Sequence, residues 1–195
     1  PSQIVRHQGG TYLVDCGSGV TQRLYAAGSS GADIDAVFFT HLHSDHTVDL
    51  FQLIISSWHQ GRDRPHLIYG PKGTKRYVKG LLKLWEPEFK QRIAHELRSS
   101  TVALSADVIE IEEGEIFRAG DLSVTAVDVD HFPVRPAFGF LFETPESRLA
   151  ISGDTTYCPA LIKACKGFDV LVHEVFIHRG ESHQMETRED LGSRN

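Results

Sequence analysis

The sequence predicts a single α/β domain in which sheets are covered by helices. Short apolar runs of strand length dominate both ends of the chain, stretches with helical spacing fill the gaps, and no repeat or linker divides the whole. With 195 residues there is room for one domain with a substantial core. A composition of 41% hydrophobic and 24% charged residues excludes a disordered or fibrous chain. The net charge of −6 gives no overall footprint for nucleic acid or an anionic membrane. Apolar runs such as Ala36-Val37-Phe38-Phe39 fall far short of the roughly 20 residues of a membrane span, so no membrane partner is expected.

Along the chain, Thr11–Asp15 reads as a strand between the turn signals Gly9-Gly10 and Gly17-Ser18-Gly19, and Val20–Ala27 as a short helix stopped by Gly28. Asp35–Thr40 has the composition of a strand buried on both faces. Thr47–Trp58 carries apolar residues at helical spacing. Leu67–Tyr69 is a strand ended by Gly70-Pro71, followed by helices over Thr74–Trp85 and Pro87–Arg98. From Val108 onward strands take over: Val108–Ile111, Glu115–Phe117, Leu122–Val127, Phe138–Phe142 and Leu149–Ile151. Pro159–Lys166 is helical and Val170–Val172 is a last buried strand. The segment Glu174–Asn195 is mostly polar, an unusual end for a self-sufficient domain.

Cys16, Cys158 and Cys165 cannot all pair with one another and form no CxxC, so they read as reduced thiols in a cytoplasmic protein, with Cys158 a candidate for exposure before Pro159. No charged start followed by an apolar stretch suggests a signal peptide, in a chain that begins at Pro1.

The chemistry concentrates in Thr40-His41-Leu42-His43-Ser44-Asp45-His46-Thr47. In extended backbone His41, His43 and Asp45 start on one side, and His46 swings round to join them as the chain turns into a helix. Imidazole and carboxylate suit zinc and similar divalent ions. Such a pattern is expected only about 0.002 times in a shuffled chain of this composition. Partners are expected on loops after other strands: His131, in Val127-Asp128-Val129-Asp130-His131-Phe132-Pro133, and Asp154, in Ser152-Gly153-Asp154-Thr155.

These residues together resemble the metallo-β-lactamase superfamily: HxHxDH at 41–46, the histidine of DxDH at 131 and SGDT at 152–155. Tyr12–Gly17 is similar to that family's second strand and glycine turn, and the resemblance covers nearly the whole chain. It implies one αββα sandwich over 1–195, with a metal site at one edge between two sheets. It also implies that the first strand and the C-terminal helix and strand, the latter bearing a last ligand histidine, lie beyond the two ends. His41, His43 and His131 would bind one metal, and Asp45, His46 and Asp154 a second, with Asp154 bridging. Two zinc ions, with manganese or iron as alternatives, would activate a hydroxide that Asp45 helps to orient.

The branch most resembled contains ribonuclease Z and the arylsulfatase-like phosphodiesterases, which share the segment His131–Phe140, SGDT and the His173-Glu174 pair. There a downstream histidine protonates the leaving group; the resemblance implies that role for His183, with a free polar surface histidine as the competing reading, and His173 reads as a buried structural histidine. Arg135 suits a phosphate or sulfate oxyanion, with Phe138 and Tyr157 lining the pocket. Only 23 residues separate His131 from Asp154, too few for the tRNA-gripping arm of ribonuclease Z. That spacing and the acidic balance argue against tRNA and for a small-molecule ester, a phosphate or sulfate ester foremost, with a homodimer as candidate assembly. The rivals are a lactonase, thioesterase or β-lactamase on the same scaffold, an iron redox enzyme of the superfamily, and a non-catalytic metal-binding module.

Overall fold

A computed structural model describes residues 1–98 and 100–175. Among these, two five-stranded sheets stack face to face with helices on their outer faces. The first sheet runs β1 (Gln3–His7), β2 (Gly10–Val14), β3 (Ala36–Phe38), β4 (His66–Gly70), β5 (Ala106–Glu110). β1 pairs antiparallel with β2, and the remaining pairs are parallel. Each parallel pair needs a crossover, supplied by α1 (Val20–Ala26), by α2 (Ser44–Thr47) with α3 (Leu50–His59), and by α4 (Thr74–Leu84) with α5 (Glu86–His95).

The second sheet has the order β10 (Val170–Val172), β9 (Arg148–Ile151), β8 (Phe138–Glu143), β7 (Leu122–Asp128), β6 (Gly114–Ala119). It is antiparallel apart from the β10–β9 pair, which is bridged by α6 (Pro159–Ala164).

Period-two alternation builds the layers. On β2, Tyr12 and Val14 face the opposing sheet while Leu13 faces the helices; on β3, Ala36 and Phe38 face inward and Val37 outward. On β8, Phe138, Phe140 and Phe142 enter the core between the sheets, and Leu141 turns to the outer layer. Phe38 ties the halves together: its ring stacks on Tyr69 at 5.2 Å and meets Phe117 and Phe142 edge-on at 5.6 and 5.8 Å. Burial of one such ring is worth about 1.5–3 kcal/mol, and a good aromatic pair about 0.5–1.5 kcal/mol more. On α3, Leu50, Leu53 and Ile54 follow i, i+3, i+4 spacing and pack onto Leu13, Val37 and Ile68.

Three features differ from the sequence-based expectation. The segment before Thr11 forms strand β1, returned into β2 by a tight turn in which Gln8 and Gly9 both have positive φ (45° and 84°), the conformation that matches strand twist. The helical stretch from Thr47 divides into the single turn α2 and the separate α3. The last strand, β10, is exposed rather than buried, because it lies at a sheet edge and pairs only with β9 among the described residues; His173 beyond it is exposed too. All three cysteines are unpaired, and Cys158 is buried against Val129, Ala137 and Leu161. No helix among the described residues is long and apolar enough to cross a membrane.

Candidate metal centre

The first sheet delivers its histidines where β3 runs out. Beyond Phe38 the chain leaves the carboxyl edge of the parallel strands, the usual place for ligand sites in α/β sheets. Extended backbone persists through His43 (φ −65°, ψ 151°), which starts the single turn α2. His41 and His43 therefore share a side, with His41 Nε2 3.0 Å from His43 Nδ1. The turn sends Asp45 outward and folds His46 back, so that its ring lies 4.1 Å from that of His41. The alternation that groups His41 with His43 thus ends before Asp45, because the backbone is helical from Ser44.

The second sheet supplies the other wall. His131, on the loop after β7, places Nε2 3.1 Å from His43 Nδ1. Asp154 follows β9 and faces both buried histidines: Oδ2 is 4.0 Å from His41 Nε2, and Oδ1 is 3.3 Å from His46 Nε2. Ligand atoms of His41, His43, His131 and Asp154 all lie within 4.8 Å of one another. Gly153 makes this approach possible, since its φ is +61° and a Cβ would meet Phe138 O and Thr40 Cβ at 2.9 Å each. The two loops are stitched together: Asp130 N–H donates to Thr155 Oγ1 (3.2 Å), and Thr156 N–H and hydroxyl both donate to Asp130 O (2.9 and 3.0 Å).

A residue without an expected role organises the buried side. Asp15, just after β2 and at positive φ (59°), accepts hydrogen bonds from Thr40 N–H (2.9 Å) and from the Thr40 hydroxyl. His46 Nδ1 lies 2.8 Å from the same carboxylate, and His41 Nδ1 lies 3.0 Å from Thr40 Oγ1. Because the Thr40 hydroxyl proton goes to Asp15, Thr40 Oγ1 accepts from His41 Nδ1–H. Both histidines are thereby assigned the tautomer whose Nε2 lone pair faces the cluster. Asp15 falls within the Tyr12–Gly17 turn pattern, but that pattern gives it no partner; its role comes from a pairing with His46 across 31 positions.

Electrostatics follow from this burial. His41 is held down to about pKa 3 by desolvation, and next by the neighbouring His46, His131 and His43, so it stays neutral and free to coordinate. At His46 burial opposes protonation, but the hydrogen bond and charge of Asp15, with Asp154 and Asp45, outweigh it and raise the pKa. Desolvation raises Asp15 more than its bonds to His46 and Thr40 lower it.

The donor set suits a divalent metal. Neutral imidazoles and a carboxylate converge, and His46 Nε2 is buried with no hydrogen-bond partner, beside the carboxylates of Asp45 and Asp154. Asp45 Oδ2 lies 3.5 Å from that atom on the exposed rim. Arg135 is exposed and paired with Asp130 at 3.0 Å, lining a cavity of about 510 Å³ beside the His131 loop, and Tyr157 stands exposed after Asp154. Phe138, expected to line the pocket, is 2% exposed and packs between the sheets, because the alternation of β8 points it inward. His183 lies outside the described residues.

The family model described as anti-Pycsar protein Apyc1 matches residues 2–188. The ribonuclease Z of Mycolicibacterium gilvum (strain PYR-GCK) is 39% identical over 178 residues, which cover 90% of this chain and 62% of that relative. The chain thus spans about three fifths of the curated relative's length. Among solved structures, human tRNase Z, short form, superposes with a TM-score of 0.72 at 22% identity, covering 96% of this chain and 74% of that one. Zinc-bound PqqB from Methylobacterium extorquens gives 0.58 at 19% identity, covering 89% and 59%. The chain belongs to the anti-Pycsar Apyc1 family, is similar in sequence to ribonuclease Z, and has the metallo-β-lactamase fold. The ribonuclease relatives overturn the expectation of a small-molecule ester substrate and the argument against tRNA. That argument rested on a missing arm and on net charge, a sum over the whole surface that does not describe the field beside the site.

Proposed function

We propose that this member of the family carries the metal-dependent centre of a phosphodiester hydrolase acting on structured RNA of the tRNA kind. The observation that carries the reading is the convergence of His41, His43, His131 and Asp154 on one point, with the orphaned His46 Nε2 beside it. His41, His43, His131 and Asp154 would hold one ion, and His46 and Asp45, with Asp154, would supply the ligands for a second. Zinc is the metal favoured by this donor set, and it is bound in the similar fold of PqqB. Divalent ions held there lower the pKa of water toward neutrality and offset phosphate charge.

The chain's own groups do the positioning. Asp15, through His46 and through Thr40 to His41, fixes two imidazoles with their lone pairs toward the reacting centre. Burial beneath these rings excludes water from the inner side, so attack and departure occur on the exposed rim of His43 and Asp45. Arg135 would take a phosphate oxygen, exchanging its partner Asp130 for the substrate, and Tyr157 would offer a face for a nucleobase. His183 is proposed to protonate the leaving oxygen. Metal content of the purified protein, and cleavage of a precursor tRNA and of an artificial chromogenic phosphodiester, test this reading. Bound transition metal and cleavage lost in both His43→Ala and Asp154→Ala are expected; metal-free protein, or full activity in both variants, overturns it.

A further inference from the structure

One face of α4 combines features that the metal centre does not use. Gly73, Arg76, Tyr77, Gly80, Leu81 and Leu84 line a groove of about 560 Å³ that begins at Leu42, the residue between His41 and His43. A Cβ on Gly73 would lie 3.3 Å from Leu42 Cδ1, so the groove abuts the ligand loop directly. Along one flank of the helix, Arg76, Lys79 and Lys83 recur at spacings of three and four, a stripe about 10 Å long. No carboxylate occurs between Pro71 and Trp85, and no ion pair among the described residues involves these three cations. Acids flank the segment: Glu110 accepts the backbone N–H groups of Gly73 and Lys75, and Glu86 pairs with Lys90 while also feeling the charge of Lys83, which leaves Arg76 and Lys79 the strongest part of the stripe.

Gly80 is a second, independent observation. Glycine inside a helix costs about 1 kcal/mol relative to alanine. Packing does not require it here, since a Cβ at Gly80 would meet nothing within 4 Å, and Leu84 beyond it is 70% exposed. An open backbone floor beside a cationic rail suits a chain of phosphates with apolar faces between them.

We propose that the α4 groove is the track on which the RNA strand lies, its phosphates on the Arg76–Lys79–Lys83 stripe and its sugars and bases over Gly80 and Leu84. The proposal rests on the RNA reading above and names where that substrate docks. A second copy of this chain fits less well, because a two-fold contact would set the same cationic stripe against itself.

The test uses a fluorescein-labelled RNA hairpin with a single-stranded tail, anisotropy titrations across salt, and turnover of the chromogenic phosphodiester. Two variants of the intact protein are compared: Arg76→Glu/Lys79→Glu/Lys83→Glu, and Gly80→Leu, which fills open space and improves helix propensity. Each should weaken RNA binding tenfold or more while leaving turnover of the small probe unchanged. The charge variant should also lower the salt slope by roughly 0.7–0.9 for every phosphate it no longer neutralises. Unchanged RNA affinity in both folded variants overturns the groove, as does a dimer that Gly80→Leu splits with RNA affinity intact. Wild-type protein that binds RNA on the groove yet cleaves neither substrate overturns the hydrolase reading alone.

Discussion

The two walls of the metal centre are built by opposite means. The first-sheet wall is one contiguous segment, His41 to His46, deeply buried on its inner side and braced by side chains: Asp15, Thr40 and the two imidazole Nδ1 atoms. The second-sheet wall takes one ligand from each of two loops and is more exposed. It is held by backbone and threonine contacts between Asp130, Thr155 and Thr156. One wall draws its order from buried polar groups that must all be satisfied; the other spreads it over many weak bonds. The first should fail sharply when a single residue changes, and the second gradually.

Removing a ligand breaks both walls alike. Asp154→Ala should reduce phosphodiester cleavage on the order of a thousandfold, since several kcal/mol of charge stabilisation is lost, with metal content falling in parallel by elemental analysis. Asp15→Ala tests the braced wall: without a carboxylate to fix His46 and Thr40, metal affinity should drop about 10–100-fold by competition with a chelating dye. A drop no larger than that of a surface substitution would show that the tautomers are set in another way.

Acid sensitivity should also belong to the first-sheet half, where the buried histidines among the described residues, His41, His46 and His66, reside. His66 on β4 is held down to about pKa 3 by burial, and then by Arg62 and Arg64. The unfolded chain, with a histidine near 6.5, takes up the proton first. Its contribution is therefore fully present above about pH 6.5 and is lost as pH falls toward 3, with a slope of at most about 1.4 kcal/mol per pH unit. Denaturant titrations at several pH values should show that part of the slope vanish in His66→Phe. The smallest effect is expected on the other wall: Thr155→Val removes one acceptor for Asp130 N–H and should cost about 0.5–1.5 kcal/mol, with metal affinity nearly unchanged.

The same contrast explains what the sequence disclosed. A contiguous wall is visible as spacing, and His41, His43 and His46 can be read directly because strand and helix periodicities place them. His131 and Asp154 stand out only as polar residues after strands, since what joins them is the stacking of two sheets. Asp15 is less visible still, because its role depends on a left-handed backbone and a partner 31 residues away. Strand β1 escapes a sequence reading because Gln3-Ile4-Val5-Arg6-His7 carries few apolar residues and only the pairing with β2 fixes it. The argument against tRNA fails for a related reason: it leaned on a total charge of −6, and a sum carries no information about where the cations lie.

At the seam between the halves, Phe138 N–H donates to Thr40 O at 2.9 Å, joining the start of β8 to the end of the β3 loop. This clasp is made of main chain alone, so no side-chain replacement at either position deletes it, save proline at 138. Lineages can therefore exchange substrate loops and rim residues around a fastening that mutation scarcely reaches. Such a fastening lets one metal-binding frame be inherited intact while the chemistry presented to it diversifies.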